Sequence, residues 1–121
     1  MPKILIVDDD VKITELMKAL MTMEGYQPTA VNDSTKAVEV ASTVKPDVIT
    51  LDLMMPGLSG LELCKLLHQD PRFAGTPIMI VSAKDDSESK DRAIQAGAKE
   101  YLTKPFLMGD LMQKIKELTG T

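Results

Sequence analysis

Four short runs in this chain are apolar almost throughout: Lys3 to Val7, Val48 to Leu51, Ile78 to Val81 and Tyr101 to Thr103. A strand with one wet face alternates apolar and polar residues, whereas a strand covered on both faces does not. These runs therefore predict a parallel sheet enclosed between two layers of helix. A weaker run, Gln27 to Val31, contains Pro28. Proline lacks the N–H that a sheet ladder uses, so this strand is predicted at the edge.

Between the runs the apolar period changes to that of a helix. Ile13, Leu16, Met17 and Leu20 form a stripe, with Asp10 placed to cap its start and Gly25 to stop it. Ala37, Val40, Ala41 and Val44 form a second stripe, which ends before Pro46 because proline disfavours helical backbone at Lys45. Ser59-Gly60-Leu61-Glu62 reads as a capping box opening a third helix through about His68. A fourth helix, about Ser87 to Ala96, is charged and poor in large apolar groups. Leu107, Leu111, Ile115 and Leu118 mark the last. Strict β-α alternation, repeated five times, predicts an α/β fold: a doubly wound, flavodoxin-like (βα)5 three-layer sandwich with parallel sheet order 2-1-3-4-5. The 121 residues suit one domain with one real core, taken as 1–121.

Composition narrows the function. Lys plus Arg number 14 against 18 Asp plus Glu, for a net charge of -4, which argues against a nucleic-acid surface. The lone cysteine, Cys64, sits among Leu63, Leu66 and Leu67 and is read as a packed core thiol in a reducing, cytoplasmic setting. No apolar run approaches the roughly 20 residues of a membrane span. Met1-Pro2 leads directly into the first strand, so it is read as a natural N-terminus without a signal peptide, with any further domain expected beyond Thr121.

In a doubly wound sheet the ligand site lies at the carboxyl ends of the strands, where strand order reverses. Asp8, Asp9 and Asp10 follow the first strand, Asp52 ends the third, Ser82 ends the fourth, and Lys104-Pro105 follows the fifth. The predicted order makes Asp8, Asp9 and Asp52 converge, with Ser82 to one side and Lys104 nearby. Converging carboxylates repel, and a hard cation such as Mg2+ offsets that repulsion with oxygen ligands. Three carboxylates, one Mg2+ and one lysine balance to zero. An acyl phosphate on one carboxylate would shift the balance to about -1. Lys104 and the Ser82 hydroxyl can then hold phosphoryl oxygens. An ionised aspartate is already a nucleophile, and phosphoryl transfer asks for little beyond positioning and charge neutralisation.

At these residues the chain resembles the receiver domains of two-component response regulators. The matching pieces are Ile4 to Asp9, Val48 to Gly57, Ile80 to Ala83 and Tyr101 to Phe106, in the right order and at the right strand ends. The resemblance implies that Asp52 is the phosphoacceptor and that Asp8 and Asp9 hold Mg2+, Asp9 the more directly, with the Met54 backbone carbonyl as a further ligand. It implies that Ser82 is the hydroxyl that moves toward the phosphoryl group, that Lys104 is the basic residue of the site, joined to Pro105 by a cis bond, and that Tyr101 is the aromatic switch. It implies a phosphoacceptor that assists its own phosphorylation and dephosphorylation, rather than an enzyme acting on another substrate. The implied donor is a histidine kinase or a histidine phosphotransfer protein. The implied reader is an effector protein or a fused output domain, acting through the surface of the fourth helix, fifth strand and fifth helix. No direct nucleic-acid or membrane contact is expected, and the chain is expected as a monomer or a phosphorylation-dependent dimer. It reads equally as a stand-alone receiver or as the N-terminal receiver of a larger regulator. Met54 and Lys84 stand where the family modulates phosphoryl lifetime. Met54 has no group to position water, so rapid spontaneous dephosphorylation is not expected.

Other chemistries fit less well. A flavin-binding relative needs a phosphate loop where this chain has three aspartates, and a GTPase needs a glycine-rich loop ending in Lys-Ser/Thr. An aspartate-nucleophile phosphatase usually has a second Asp at the position of Met54. A receiver kept only as a binding module remains as an alternative, although such members typically lose an acidic residue or the lysine. Asp10 is read as a helix cap rather than a metal ligand, His68 as a solvated helix residue, and the methionines as core. The charged stretch Asp85 to Arg92 is read as a solvated face that can also meet a partner.

Overall fold

The apolar runs all form strands in the computed structural model, which describes residues 1–120. Thr121, the last residue of the expected domain, lies outside the described residues. The strands are β1 (Lys3–Val7), β2 (Gln27–Val31), β3 (Val48–Leu51), β4 (Ile78–Ser82) and β5 (Glu100–Thr103). They pair in parallel in the order β2-β1-β3-β4-β5, as predicted. Pro28 does lie on the edge strand, paired in register with Ile4.

The helices are α1 (Val11–Met23), α2 (Ala37–Val44), α3 (Gly60–Gln69), α4 (Ser87–Gln95) and α5 (Met108–Thr119). A 3-10 turn at Ser34–Lys36 leads into α2. Side chains alternate across the sheet and split the core in two. Leu5, Val7, Ile49, Leu51, Ile78 and Ile80 face α2, α3 and α4. Ile4, Ile6, Val48, Met79, Val81 and Leu102 face α1 and α5. Each large aliphatic side chain buried this way stabilises the fold by roughly 1.5–3 kcal/mol. Cys64 is fully buried, and burial raises its thiol pKa to about 11, consistent with a packing role.

Helix ends follow their signals with some corrections. Asp10 caps α1, accepting from the N–H groups of Lys12 and Ile13. Ser59 accepts from the Glu62 N–H, but the Glu62 carboxylate takes the Ser59 hydroxyl rather than its backbone N–H, so only half of the capping box forms. Leu16 is exposed, and α1 packs instead through Met17, Leu20, Met21 and Thr14. Ile13 is partly buried against the same cluster, so of the expected stripe only Leu16 falls outside the contact. Leu107 is not part of the last helical face. It is the N-cap of α5, largely exposed, and Leu111, Met112 and Ile115 make the contact. The inward side of α4 is alanine: Ala93 is buried, and Ala96 just past its end is nearly so, while Ile94 faces out. No helix among the described residues is long and apolar enough to cross a membrane.

Candidate functional site

The parallel ladder runs one rung beyond the strands. The Asp8 N–H donates to Val31 O at 3.1 Å, and the Asp52 N–H donates to Val7 O at 3.0 Å. The sheet therefore ends with Asp8 and Asp52 beside each other. Asp8, Asp9 and Asp52 each offer an oxygen within 4.8 Å of the others. Asp8 is buried, Asp52 half-buried and Asp9 exposed. Asp10 is not among the three and stays a cap, although its N–H donates to Asp8 Oδ1 at 2.9 Å.

Lys104 reaches the same place from the far strand. Its backbone N–H donates to Ser82 O at 2.8 Å, extending β5 past its last residue. The Lys104–Pro105 bond is cis. The ammonium nitrogen lies 2.6 Å from Asp8 Oδ2 and 3.5 Å from Asp52 Oδ2. Burial alone would lower the pKa of Lys104, but the bond to Asp8 and the charge of Asp52 outweigh it and raise the pKa. Asp52 is also shifted upward. Burial is the main cause and the Asp8 charge adds to it, while Lys104 opposes both. A buried carboxylate beside a like charge is under-compensated by one lysine.

Ser82 and Tyr101 meet through Lys84. Ser82 is buried at the end of β4, and its Oγ accepts from the Lys84 N–H at 3.2 Å. The Tyr101 hydroxyl donates to the Lys84 carbonyl at 2.6 Å. Its ring is half-buried against the α2–α4 side of the core, and the Lys90 ammonium lies 5.8 Å from its centroid. Burial raises the phenol pKa, and the Ser82 hydroxyl pulls the other way. Met54 has an exposed side chain, and its N–H points to Asp52 Oδ1 at 3.4 Å. His68 is exposed on α3, away from these groups.

Two residues that support the site carried no usable signal in the sequence. The Asn32 side-chain amide donates to Asp8 O at 2.9 Å and to Thr14 Oγ1 at 3.0 Å, fixing the turn after β1. Gly60, read only as part of a cap, starts α3 against the backbone of Asp52 and Leu53, where a Cβ would overlap Asp52 O. Only the contact across the loop reveals that constraint.

Chemically the cluster is a set of hard oxygen donors with one ammonium at its edge. This donor set suits Mg2+, which accepts a few carboxylates and retains water.

Comparison with known proteins bears on the family. The family described as the response regulator receiver domain matches residues 4–116. The Bacillus subtilis alkaline phosphatase synthesis transcriptional regulatory protein PhoP is 37% identical over 96% of this chain and 48% of its own length. The Synechocystis DNA-binding dual master transcriptional regulator RpaA is 36% identical over 98% of this chain and 49% of its own. The chain thus spans about half the length of the curated relatives it matches. Among solved structures, the Francisella response regulator 1452 receiver domain has a TM-score of 0.91 at 36% identity, covering 99% of this chain and 98% of its own. The Vibrio cholerae chemotaxis response regulator CheY4 has a TM-score of 0.92 at 28% identity, covering 98% of each chain. The fold, the strand-end carboxylates and these matches agree: the chain belongs to the response regulator receiver domain family, the phosphorylation-receiving module of two-component signalling.

Proposed function

We propose that Asp52 accepts a phosphoryl group from a phosphohistidine on a histidine kinase or phosphotransfer protein. The histidine N–P bond breaks, an Asp52 Oδ–P bond forms, and the released imidazole nitrogen takes up a proton. The observation that supports this most directly is the convergence of Asp8, Asp9, Asp52 and Lys104 at the carboxyl edge of the sheet. Asp8 and Asp9, with Asp52 and the Met54 carbonyl, would hold Mg2+. When bound, Mg2+ neutralises charge on the phosphoryl oxygens. Lys104 stands close enough to Asp52 to meet another of those oxygens by turning away from Asp8. Ser82, buried as the last residue of β4, supplies a hydroxyl donor.

The added charge then biases Ser82 and Tyr101, both bonded to Lys84, and so the surface of α4, β5 and α5. The alanine-only anchoring of α4 suits it to move at low cost. We take residues 1–121 as one receiver unit acting in the cytoplasm, monomeric or dimerising on phosphorylation, and not as an enzyme with a separate substrate. The reader is an effector protein or a fused output domain. Relatives named as DNA-binding regulators are about twice this chain's length, so their nucleic-acid contact is not carried over to these residues.

Incubation with acetyl phosphate or phosphoramidate and Mg2+ tests the reading. Wild type should gain an acid-stable, base-labile phosphoryl label that Asp52→Asn lacks and that EDTA prevents. Equal labelling of the variant overturns Asp52 as the acceptor.

A further inference from the structure

The segment between β3 and α3, residues 53–59, carries Met54 past the site, and it is held from outside by a residue in another turn. Ser34 lies in the 3-10 turn after β2 and is buried, at 2% exposure. Its hydroxyl donates to Pro56 O at 3.1 Å and accepts from the Leu58 N–H at 3.1 Å. One side chain therefore satisfies both backbone groups flanking Gly57. Gly57 has φ +80°, and a Cβ there would press on Thr35 Cγ2 at 3.0 Å, so the two turns are in close contact beside the bridge. At the loop's far end the Gly60 N–H donates to Leu53 O at 3.0 Å. The loop is thus closed on itself at its base and tied at its tip to Ser34. Without the hydroxyl, a part-buried carbonyl and a part-buried N–H lose their shared partner, and the tip is no longer tied to the Ser34 turn.

We propose that Ser34 is a positioning residue for the metal and phosphoryl site: its hydroxyl fixes Pro56 and Leu58, and so holds the loop that presents Met54 to the carboxylate cluster. This rests on the reading of Asp8, Asp9, Asp52 and Met54 as a Mg2+ site. Ser34 touches none of the reacting atoms. It acts as supporting groups do at metal sites, where loss of an outer hydrogen bond weakens binding by about 10–100-fold.

Mg2+ titrations followed by NMR test it, with Cys64→Ala as a control that destabilises from the core. Ser34→Ala should bind Mg2+ about tenfold more weakly than wild type, the low end of that range. Cys64→Ala should bind as wild type does. Binding by Ser34→Ala that matches wild type makes Ser34 a structural residue only and overturns the proposal. If Ser34→Ala does not fold, the wild-type protein still decides. Coupling is reciprocal, so Mg2+ must tighten the Ser34 bridge, and exchange of the Leu58 amide should slow when Mg2+ is added. An unchanged Leu58 exchange rate overturns the proposal. Wild type that fails to bind Mg2+ at all removes the metal reading itself, a result distinct from either of these.

Discussion

Lys104 is ion-paired with Asp8 at 2.6 Å, closer than the 3.5 Å that separates it from Asp52. The lysine side chain is only 16% exposed, so the pair is poorly screened. It competes with any cation that uses Asp8. Lys104→Met should therefore tighten Mg2+ binding, on the order of tenfold, because a like charge leaves the site. The same variant should take up phosphoryl label more slowly, since it lacks a cation for the transferred group. Titration with Mg2+ separates the two effects, and weaker Mg2+ binding by Lys104→Met would show that the lysine organises the carboxylates rather than competing for them.

The upward shift of Asp52 has a sign that can be checked without any ligand. With the folded value above the unfolded one, the native state binds the extra proton between the two. Stability therefore falls as pH rises through that window, and the ionised form is a cost at neutral pH. Asp52→Asn removes the cost. In EDTA at neutral pH the variant should be more stable than wild type by roughly 1 kcal/mol, a typical single-residue effect. The difference should shrink as pH falls through the Asp52 folded value. Mg2+ should reverse the order, because wild type gains binding free energy that the variant lacks. Thermal melts across acid and neutral pH, with EDTA or Mg2+, give all three comparisons. A less stable Asp52→Asn in EDTA would mean that Lys104 more than offsets burial.

Much of this arrangement was legible because the strands are buried on both faces. Ile4 to Val7 or Ile78 to Val81 can hardly be anything else, and once sheet order is assumed the residues after each strand must meet. The Asp10 cap and the edge placement of Pro28 followed from local chemistry alone. What stayed hidden depends on contacts between loops. Asn32, Ser34 and Gly60 have ordinary sequence neighbourhoods, and their roles exist only where two turns come within hydrogen-bond distance. Leu16 and Leu107 misled for another reason. Each sits at the margin of an apolar stripe, where a small rotation of the helix decides between core and water, and the actual contacts went to Met21 and Met112.

Gly60 offers a test of the loop geometry from the opposite end to Ser34. It has no positive φ to explain it, so the demand for glycine there is steric, set by the approach of α3 to the Asp52 carbonyl. An added methyl group must push back the backbone of Asp52 and Leu53. Gly60→Ala should lose about 1–3 kcal/mol in urea unfolding, the usual cost of overpacking, although alanine is the better helix former. Because the displaced atoms belong to Asp52 itself, Mg2+ affinity should drop as well. A stabilised Gly60→Ala would show that α3 can shift away freely and that the close approach is not required.

The Tyr101 hydroxyl donates to the Lys84 carbonyl at 2.6 Å, while Lys84 N–H is held by Ser82. Tyr101→Phe keeps the ring and removes that tie. The bond is partly open to solvent, so the loss in urea unfolding should be at the low end for a hydrogen bond, about 0.5–1 kcal/mol. The phenol pKa is raised in the fold. The stabilisation from protonated Tyr101 is therefore complete below the ordinary tyrosine pKa and is lost as pH rises through the folded value. Wild type and Tyr101→Phe should accordingly converge in stability at alkaline pH, whatever the other tyrosine and the lysines do, since those are common to both. The variant should still accept phosphoryl label at Asp52, because Tyr101 touches neither Asp52 nor Lys104 through any of its bonds, but the phosphorylation-induced NMR shifts of α4 and β5 should shrink. Undiminished shifts in the variant would place the coupling elsewhere than in the path from Ser82 through Lys84 to Tyr101.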